Sequence, residues 1–449
     1  MKKVIFVTYV FPPMAAVGSQ RVVNFCRFLP NHGWQPVVLT VKGGHNTSWD
    51  NSLLKKIPDT IVYRTNTLEP YFWLSSLRKS NTEAFSKNKT TAEQSEPVSK
   101  LSLLKRIKQF LLLFLRVPDE IIFWLPFAVL KGIQVVKEEQ ISVIISTSPP
   151  VTSHICASLI ARFTKIPHIV DFRDLWTLNH TYDQRHYPPF FRKYDKWWEN
   201  LVLNRASEIV TASPAFTKLL QKHLSGKITI KTITNGFDYT DVDLNRIFRS
   251  ASGKKMNILY AGSIYSDFNP EFFLEALSEW IQDKQIDPHT VAVDFYGNCG
   301  FDYSEWLKQL KLDTLVSFHG FIPRDQLLKR METADYLLLL LGFKDEYKSV
   351  IPAKLFDYLA TGIRILAIAP NGITVELIKK YNAGSWQCSP DKTAMKSLID
   401  RLYTCAINGT TEEKKYRYIK EIDRSYLAGE LANILDQHAA DNIENQRKL

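Results

Sequence analysis

Short apolar strands alternate with helical segments twice along this chain of 449 residues, and this pattern constrains the fold most. Such alternation is typical of doubly wound parallel sheets with helices on both faces. The sequence therefore predicts an α/β protein with two Rossmann-like domains. The first run has strands at 3–10, 35–41, 143–147, 168–172 and 207–211 and helices at 20–29 and 152–164; the second has strands at 256–260, 291–296, 316–319 and 334–341 and a helix at 270–280.

The break between the two runs, near residue 240, sets the predicted domain boundaries. We expect a first domain at 1–240, a second at 241–425, and a C-terminal helix and tail at 426–449. Residues 79–100 are rich in charged and hydroxyl side chains and poor in apolar ones, which indicates a mobile insertion. Ligands of such sheets bind at the carboxyl ends of the strands. We therefore expect the two domains to face each other across a cleft that holds the ligand.

Composition favours an anionic partner and a reducing compartment. The formal net charge of +11 suits nucleic acid, a nucleotide-bound substrate or a membrane surface. Nothing in the sequence resembles a helix-turn-helix, a zinc finger or an aromatic and basic RNA platform, so nucleic acid is disfavoured. The five cysteines are scattered without a CxxC pair, which argues against structural zinc and a disulfide framework. The predicted location is the cytoplasm.

The segment 101–132 suggests contact with the inner face of the cell membrane. Basic residues interrupt its leucines and aromatics, and its longest uncharged run is too short to span a bilayer. This composition suits helices that lie in the membrane interface. A pair of core helices packed inside the first domain is the alternative. The residues expected at the membrane include Lys105, Arg106, Lys108, Phe110, Phe114, Arg116, Phe123 and Trp124.

The segment 349–369 reads as loop, helix, turn and strand, and it gives the clearest indication of a binding site. We expect its helix to begin near Pro352 and to end at Gly362. Lys354 and Asp357 are three residues apart and therefore neighbours on the helix surface. Lys354 and the free N–H groups of the first turn suit a phosphate, and Asp357 suits the vicinal hydroxyls of a sugar. A solvated ion pair on an ordinary helix is the alternative.

A series of short motifs then identifies a family. They are Phe11-Pro12-Pro13, Gly18 to Arg21, Val117 to Asp119 with Trp124, Ser146 to Pro150, Asp171 to Trp176, Thr234 to Asp238, Leu259 to Ser263, Phe295 to Gly297, His319 to Pro323 and Ile351 to Ala360. In their order and spacing the chain resembles the retaining family 4 of GT-B-fold glycosyltransferases, which use nucleotide sugars. Within that family it looks most like bacterial enzymes of surface-polysaccharide assembly, and the resemblance covers nearly the whole chain.

The resemblance implies a reaction. A sugar would move from a nucleoside-diphosphate sugar to a lipid-linked or glycan acceptor in cell-surface polysaccharide synthesis, with retention of configuration. Basic side chains and helix dipoles would stabilise the leaving diphosphate, so no metal or other cofactor is expected. Two alternatives stay open: a non-catalytic module that binds a nucleotide sugar, and a sugar-nucleotide epimerase of the same fold.

The resemblance also implies a donor site. Lys354 is the choice for the diphosphate, and Asp357 stands where the family has a ribose-binding glutamate. Ser349 replaces the family's other glutamate, which is a departure from the pattern. Gly18 permits close backbone approach, and Arg21 either adds charge there or pairs on its helix. The predicted donor-binding residues are Gly18, Arg21, Gly262, Ser263, Gly320, Ile322, Ile351, Pro352, Ala353, Lys354 and Asp357.

The pair Arg173 and Asp174 stands where the family has a first-domain histidine, directly after a predicted strand. With Lys354 it forms the predicted catalytic set, and it would position the acceptor hydroxyl or the donor sugar. A structural salt bridge that closes the loop is the alternative. His154 and His319 are weaker candidates, because a lone histidine near a strand end is more often structural.

Overall fold

The computed structural model describes residues 1–14, 18–43, 51, 53–68, 110, 113–114, 116–179, 182, 187–224, 228–248, 255–264, 268–408 and 414–447. It divides the chain into two units, Met1–Thr234 with Leu427–Leu449, and Asn235–Tyr426. The first unit therefore ends at 234 rather than at 240, and the C-terminal helix belongs to it. The insertion predicted at 79–100 lies outside the described residues, as does 101–109.

A seven-stranded parallel sheet forms the centre of the first unit. Its strands are β1 (Lys2–Val7), β2 (Trp34–Val41), β3 (Ile61–Thr65), β4 (Val143–Ser148), β5 (His168–Phe172), β6 (Glu208–Thr211) and β7 (Ile230–Thr232). They lie in the order β3-β2-β1-β4-β5-β6-β7, so the direction of winding reverses between β1 and β4. The helices are α1 (Ser19–Phe28), α2 (Leu125–Glu138), α3 (Thr152–Thr164), α4 (Pro189–Leu203) and α5 (Pro214–Leu224).

The described part of the predicted membrane segment belongs partly to the core, from Val117 onwards, while Phe110 and Phe114 are exposed. Trp124 is fully buried beside Tyr9, and its Nε1 donates to Thr65 Oγ1 at 2.7 Å. Helix α2 buries Ala128, Val135 and the residues between them that face the sheet. The prediction that Trp124 meets a membrane is therefore wrong, because the apolar face of this stretch is used inside the unit. None of the described helices combines the length and apolar composition needed to cross a bilayer.

The second unit repeats the doubly wound plan with six parallel strands. They lie in the order β11-β10-β9-β12-β13-β14, and the winding reverses between β9 and β12. A short antiparallel pair joins β8 to β15. The strands are β8 (Ile247–Phe248), β9 (Met256–Ala261), β10 (Val291–Tyr296), β11 (Val316–Phe318), β12 (Tyr336–Leu340), β13 (Arg364–Ile368), β14 (Gly384–Gln387) and β15 (Lys414–Lys415). The helices are α6 (Glu271–Lys284), α7 (Ser304–Gln309), α8 (Arg324–Met331), α9 (Lys354–Thr361), α10 (Ile373–Lys380) and α11 (Lys392–Ile407).

The last helix, α12 (Arg424–Arg447), completes the core of the first unit. Its apolar side chains, among them Leu431 and Leu435, share a buried cluster with Val4 and Phe6 of β1 and Trp34 of β2. Two parallel α/β sheets of this order confirm the predicted pair of Rossmann-like domains.

Candidate functional site

Helix α9 is anchored to the point where the second sheet reverses its winding. The buried Tyr358 Oη accepts a hydrogen bond from the Ala261 N–H at 2.9 Å and donates to the Leu338 carbonyl at 3.1 Å. These two residues lie on β9 and β12, the neighbouring strands between which the winding reverses. Ligands of doubly wound sheets bind at such a point, outside the carboxyl ends of the strands. The helix begins two residues after the predicted Pro352 and ends at Gly362 as expected.

The Lys354 side chain lies against the end of β9. Its Nζ is 3.9 Å from the centre of the Tyr260 ring. A Cβ on Gly262 would collide with the end of this side chain, so the glycine makes room for it. Burial lowers the pKa of the Lys354 ammonium to about 7. No hydrogen bond or ion pair to this nitrogen occurs among the described residues, so the ring is its only partner there.

Three glycines follow the adjacent strands β9, β10 and β11. Gly262, Gly297 and Gly320 have φ angles of 141°, 137° and 69°, a region that L side chains rarely adopt. Gly262 N–H donates to the Tyr296 carbonyl at 2.7 Å, and Gly297 N–H donates to the Gly320 carbonyl at 2.8 Å. The space beside Gly262 is filled by the end of the Lys354 side chain and that beside Gly297 by the Gly262 carbonyl, whereas the space beside Gly320 is open. Gly297 is not among the predicted donor-binding residues; it packs against the Gly262 carbonyl and so fixes the position of that glycine.

Asp357 is held by an arginine that sequence reasoning also missed. Arg324 donates two hydrogen bonds to the Asp357 carboxylate, at 3.0 and 2.8 Å, and its guanidinium lies 5.6 Å from the centre of the Phe237 ring. A carboxylate offers about four lone-pair sites, so this bridge leaves capacity for hydroxyl donors. The ion pair of the alternative interpretation exists, but with Arg324 rather than with Lys354.

The remaining donor-binding candidates of the second unit occupy loops near these groups. The Ser263 carbonyl accepts from Tyr260 Oη at 3.0 Å, directly after Gly262. Ile322 and Ile351 are half-buried and pack against the apolar cluster that includes α9. Pro352 is half-buried, and Ala353 is exposed and caps the start of α9.

In the first unit, Arg173 joins three strand ends. Its Nε donates to the Ser148 carbonyl at 2.9 Å, and its other two nitrogens donate to the carbonyls of Gly18 and Pro149. These carbonyls lie at the end of β4 and in the segments that follow β1 and β4, where the winding of the first sheet reverses. A Cβ on Gly18 would collide with the guanidinium. Arg173 thus holds the Gly18 loop in place, while the next residue, Asp174, is exposed.

Arg21 is buried in the first unit and paired with a carboxylate. Its guanidinium donates to both oxygens of the buried Asp171, at 2.8 and 2.9 Å, and to the carbonyls of Ile233 and Thr234. Asp171 also accepts from Thr147 Oγ1 at 2.8 Å. The structure thus corresponds to the pairing alternative rather than to a donor-binding role.

The histidines have structural partners. Ser146 Oγ lies 2.7 Å from both His154 Nδ1 and His168 Nε2, and all three side chains are buried. Burial lowers the pKa of His168 to about 3 and that of His154 well below its ordinary value, so both rings are neutral. His319 is half-exposed; its Nε2 is 2.6 Å from Asp294 Oδ1, and its ring stacks on Tyr296.

Comparison with known proteins agrees with this architecture. Residues 101–236 match the family model for the glycosyl transferase 4-like domain. The chain is similar in structure to HepE from Anabaena solved with UDP, at 15% identity and a TM-score of 0.53 over 100% of both chains. It is also similar to sucrose-phosphate synthase from Thermosynechococcus elongatus, at 14% identity and a TM-score of 0.56, covering 100% of this chain and 99% of that one.

A third solved structure extends the same likeness. It is the lipopolysaccharide outer core galactosyltransferase WaaB in its apo form, at 13% identity and a TM-score of 0.52 over 100% of both chains. No curated protein sequence matches this chain. At these identities the similarity establishes the fold, so the chain has the two-domain GT-B fold found in glycosyltransferases. Its first unit contains a segment similar to the family 4-like domain.

Proposed function

We propose that the protein is a glycosyltransferase that uses a nucleoside-diphosphate sugar. The observation that carries the proposal is the position of Lys354, a half-buried lysine whose amine lies over Tyr260 and beside Gly262, at the point where the second sheet reverses its winding. The GT-B fold and the family model that matches residues 101–236 support it. In this proposal Lys354 binds the diphosphate and Asp357, positioned by Arg324, binds the ribose hydroxyls.

The chemistry assigned to Lys354 follows from its surroundings. The leaving diphosphate gains negative charge as the glycosidic bond breaks, and a preorganised cation in a dry site stabilises that charge. A phosphate beside the amine favours its charged form and so raises a pKa that burial has lowered to about 7. The cation is therefore strongest when the donor is bound. In this proposal the charge of Lys354, rather than a metal, neutralises the diphosphate.

The finer assignment concerns acceptor, pathway and stereochemistry. We propose that the acceptor is a lipid-linked or glycan chain of cell-surface polysaccharide synthesis and that the transfer retains configuration. Asp174 is exposed next to the anchored Arg173, which suits a role in positioning the acceptor hydroxyl or the donor sugar. WaaB, whose name places it in lipopolysaccharide outer core synthesis, shares the fold and supports this choice of pathway.

A donor screen tests the proposal directly. The purified chain is mixed with a panel of nucleoside diphosphates and their sugars, with uridine compounds first because HepE was solved with UDP and with UDP-glucose. A ligand of the native state raises the melting temperature by mass action. We expect one nucleotide to do so and Lys354→Ala to reduce turnover severely, whereas the control Lys329→Ala on α8 leaves it unchanged.

The products of the same reaction separate the proposal from its alternatives. Donor consumption that depends on an acceptor supports transfer, and a new sugar nucleotide without acceptor indicates an epimerase. Binding without any turnover indicates a non-catalytic module. A Lys354→Ala variant with turnover within twofold of the parent would exclude the role assigned to Lys354.

We further propose that the protein works at the cytoplasmic face of the cell membrane. Four large aromatic side chains support this proposal, because 47% to 59% of each is exposed: Phe110, Phe114, Phe190 and Trp197. Phe110 lies 6.1 Å from Phe190, and Phe114 and Trp197 each lie 6.3 Å from Tyr194 between ring centres; we call these rings the aromatic patch. Helix α4 adds the exposed cations Arg192, Lys193 and Lys196. Aromatics flanked by cations suit an anionic membrane interface.

A further inference from the structure

The amino ends of β5 and β6 border an open cavity of about 600 Å³ in the first unit. This edge of the sheet is opposite to the one where Arg173 holds the Gly18 loop. The volume of this cavity lies within the range of small-molecule sites. The lining comes from the second half of α3, from the segments that enter β5 and β6, and from α12: Ser158, Ala161, Arg162, Lys165, Ile166, Pro167, His168, Arg205, Ser207, His438 and Asp441.

Positive charge dominates the lining. Arg162, Lys165 and Arg205 are exposed and have no ion pair among the described residues. Asp441 is the one carboxylate in the lining. His438 Nε2 is 2.8 Å from Oε2 of the buried Glu208, so this ring is already paired with a carboxylate. The cavity therefore suits an anion.

Basic residues alone would not identify a site, because cations commonly follow the C-terminal ends of helices, as they do here at α3 and α4. Two buried polar atoms, by contrast, are not explained by their position in the helices and strands. Ser158 Oγ and His168 Nδ1 belong to residues that line the cavity, are each only 1% exposed, and have no hydrogen-bond partner among the described residues. A buried polar group without a partner costs free energy, so a ligand that pairs with it gains affinity.

The hydrogen bonds behind the cavity allow His168 to act as a donor. Ser146 has a single hydroxyl proton and lies 2.7 Å from one nitrogen each of His154 and His168. When Ser146 donates to His168 Nε2, the neutral His168 ring carries its proton on Nδ1. A phosphate oxygen in the cavity would favour this arrangement over the reverse one.

We propose that this cavity is a second anion site that binds a phosphate group through Arg162, Lys165, Arg205, Ser158 and His168. The phosphate is carried either by a small soluble molecule or by a lipid headgroup, since both present the same chemistry. Guanidinium groups recognise phosphate oxygens through paired N–H donors, and the two buried groups would complete the set of donors.

Inorganic phosphate titrated calorimetrically into the full chain tests the proposal. We expect Arg162→Glu with Arg205→Glu to weaken binding at least tenfold. The control pair Lys218→Glu with Lys222→Glu on α5 makes the same charge change elsewhere and should leave it unchanged. Repeating the titration in Lys354→Ala protein separates this cavity from the candidate donor site, and binding here should persist.

Ser158→Ala gives a second criterion that does not depend on net charge. Because the hydroxyl is buried without a partner, its removal should leave the melting temperature without phosphate no lower than that of the parent. Phosphate affinity should nevertheless fall about fivefold. Unchanged affinity in both Ser158→Ala and the double arginine variant would overturn the proposal.

Vesicles distinguish the two sources of the phosphate. If soluble phosphate fails to bind, binding to phosphatidic acid vesicles but not to phosphatidylcholine vesicles should be reduced by Arg162→Glu with Arg205→Glu and not by the control pair. That result would assign the cavity to a lipid headgroup. If neither phosphate nor phosphatidic acid binding depends on these residues, the cavity is not a phosphate site.

Discussion

The ammonium of Lys354 lies over the ring of Tyr260, and Gly262 leaves the space that it occupies. An aromatic face attracts a cation but does not neutralise it, unlike a carboxylate. The amine therefore stays available for an anionic ligand while burial keeps its pKa near 7. We therefore expect the binding of an anionic ligand at this site to depend on pH through the protonation of Lys354.

We predict that affinity for a nucleotide sugar falls as the pH rises above about 7. Lys354 loses its proton in that range, because burial lowers its pKa to about 7 in the folded protein. Calorimetric titration between pH 6 and 9 measures the effect, with proton uptake on binding above pH 7. Lys354→Arg keeps its charge throughout and should bind with little pH dependence. Identical pH profiles for parent and variant would contradict the assignment.

We predict that Asp357→Ala weakens nucleotide binding by about 1–3 kcal/mol, the usual loss for a charged hydrogen-bond acceptor. Asp357→Glu should be tolerated. Arg324→Ala should weaken binding less than Asp357→Ala, because Arg324 positions the carboxylate rather than the nucleotide. Titration with the preferred nucleoside diphosphate provides the measurement. If Asp357→Ala binds as tightly as the parent, the ribose contact lies elsewhere.

Asp174→Asn should lower turnover and leave nucleotide affinity nearly intact. The exposed carboxylate follows an arginine whose guanidinium is already held by backbone carbonyls, so its loss should not disturb the loop. Initial rates and nucleotide titration of the same preparation separate the two effects. A large drop in melting temperature instead would show that Asp174 closes the loop as part of a structural ion pair.

Asp171→Asn should destabilise the first unit by about 3–5 kcal/mol, because it leaves the buried Arg21 charge without compensation. Chemical denaturation measures the change. Glu305→Gln breaks the exposed ion pair with Lys308 and serves as control, with an expected cost below about 1 kcal/mol. A similar small cost at Asp171 would mean that the two carbonyls beside Arg21 suffice to hold its charge.

The protein should cosediment with anionic vesicles at low salt and be released as salt screens the exposed charges. Replacing both Phe190 and Trp197 with serine should weaken this binding, because it removes exposed apolar surface from the aromatic patch. Phe163→Ser, at an exposed phenylalanine on α3, is the matched control. If the parent remains in solution at low salt, the patch has another role.

A second set of variants addresses the basic residues of the segment 101–132, which is predicted to contact the membrane. Replacing Lys105, Arg106 and Lys108 with glutamate should release the protein from anionic vesicles while nucleotide binding persists, since each cation near such a surface contributes about 1 kcal/mol. Persistence of vesicle binding would assign the attraction to the aromatic patch alone.

The local sequence pattern was enough to predict the ends of those elements whose structure depends mainly on their own residues. Helix α3 and strands β5 and β10 begin and end at the predicted residues, because their apolar periodicity agrees with the turns around them. The glycine end of α9 follows from the same local chemistry.

Pairings across the sheet could not be predicted in this way. Arg324 and Asp357 are 33 residues apart and meet because of the strand order. The sequence allows Arg21 to contribute charge to the Gly18 loop, but its guanidinium binds Asp171 of β5, 150 residues away. Trp124 lies in a sequence typical of membrane interfaces, yet the first sheet uses its ring as core. In each case the partner is distant in the chain, so spacing alone carries no information about it.

The return of α12 to the first unit affects the order of folding during synthesis. A ribosome makes residues 1–234 first, but the cluster that holds Val4 and Trp34 lacks Leu431 and Leu435 until nearly the whole chain has emerged. Domains generally fold as units in the order of synthesis. Here the residues of the second unit are all synthesised before the first unit is complete, so we expect the first unit to finish folding after the second.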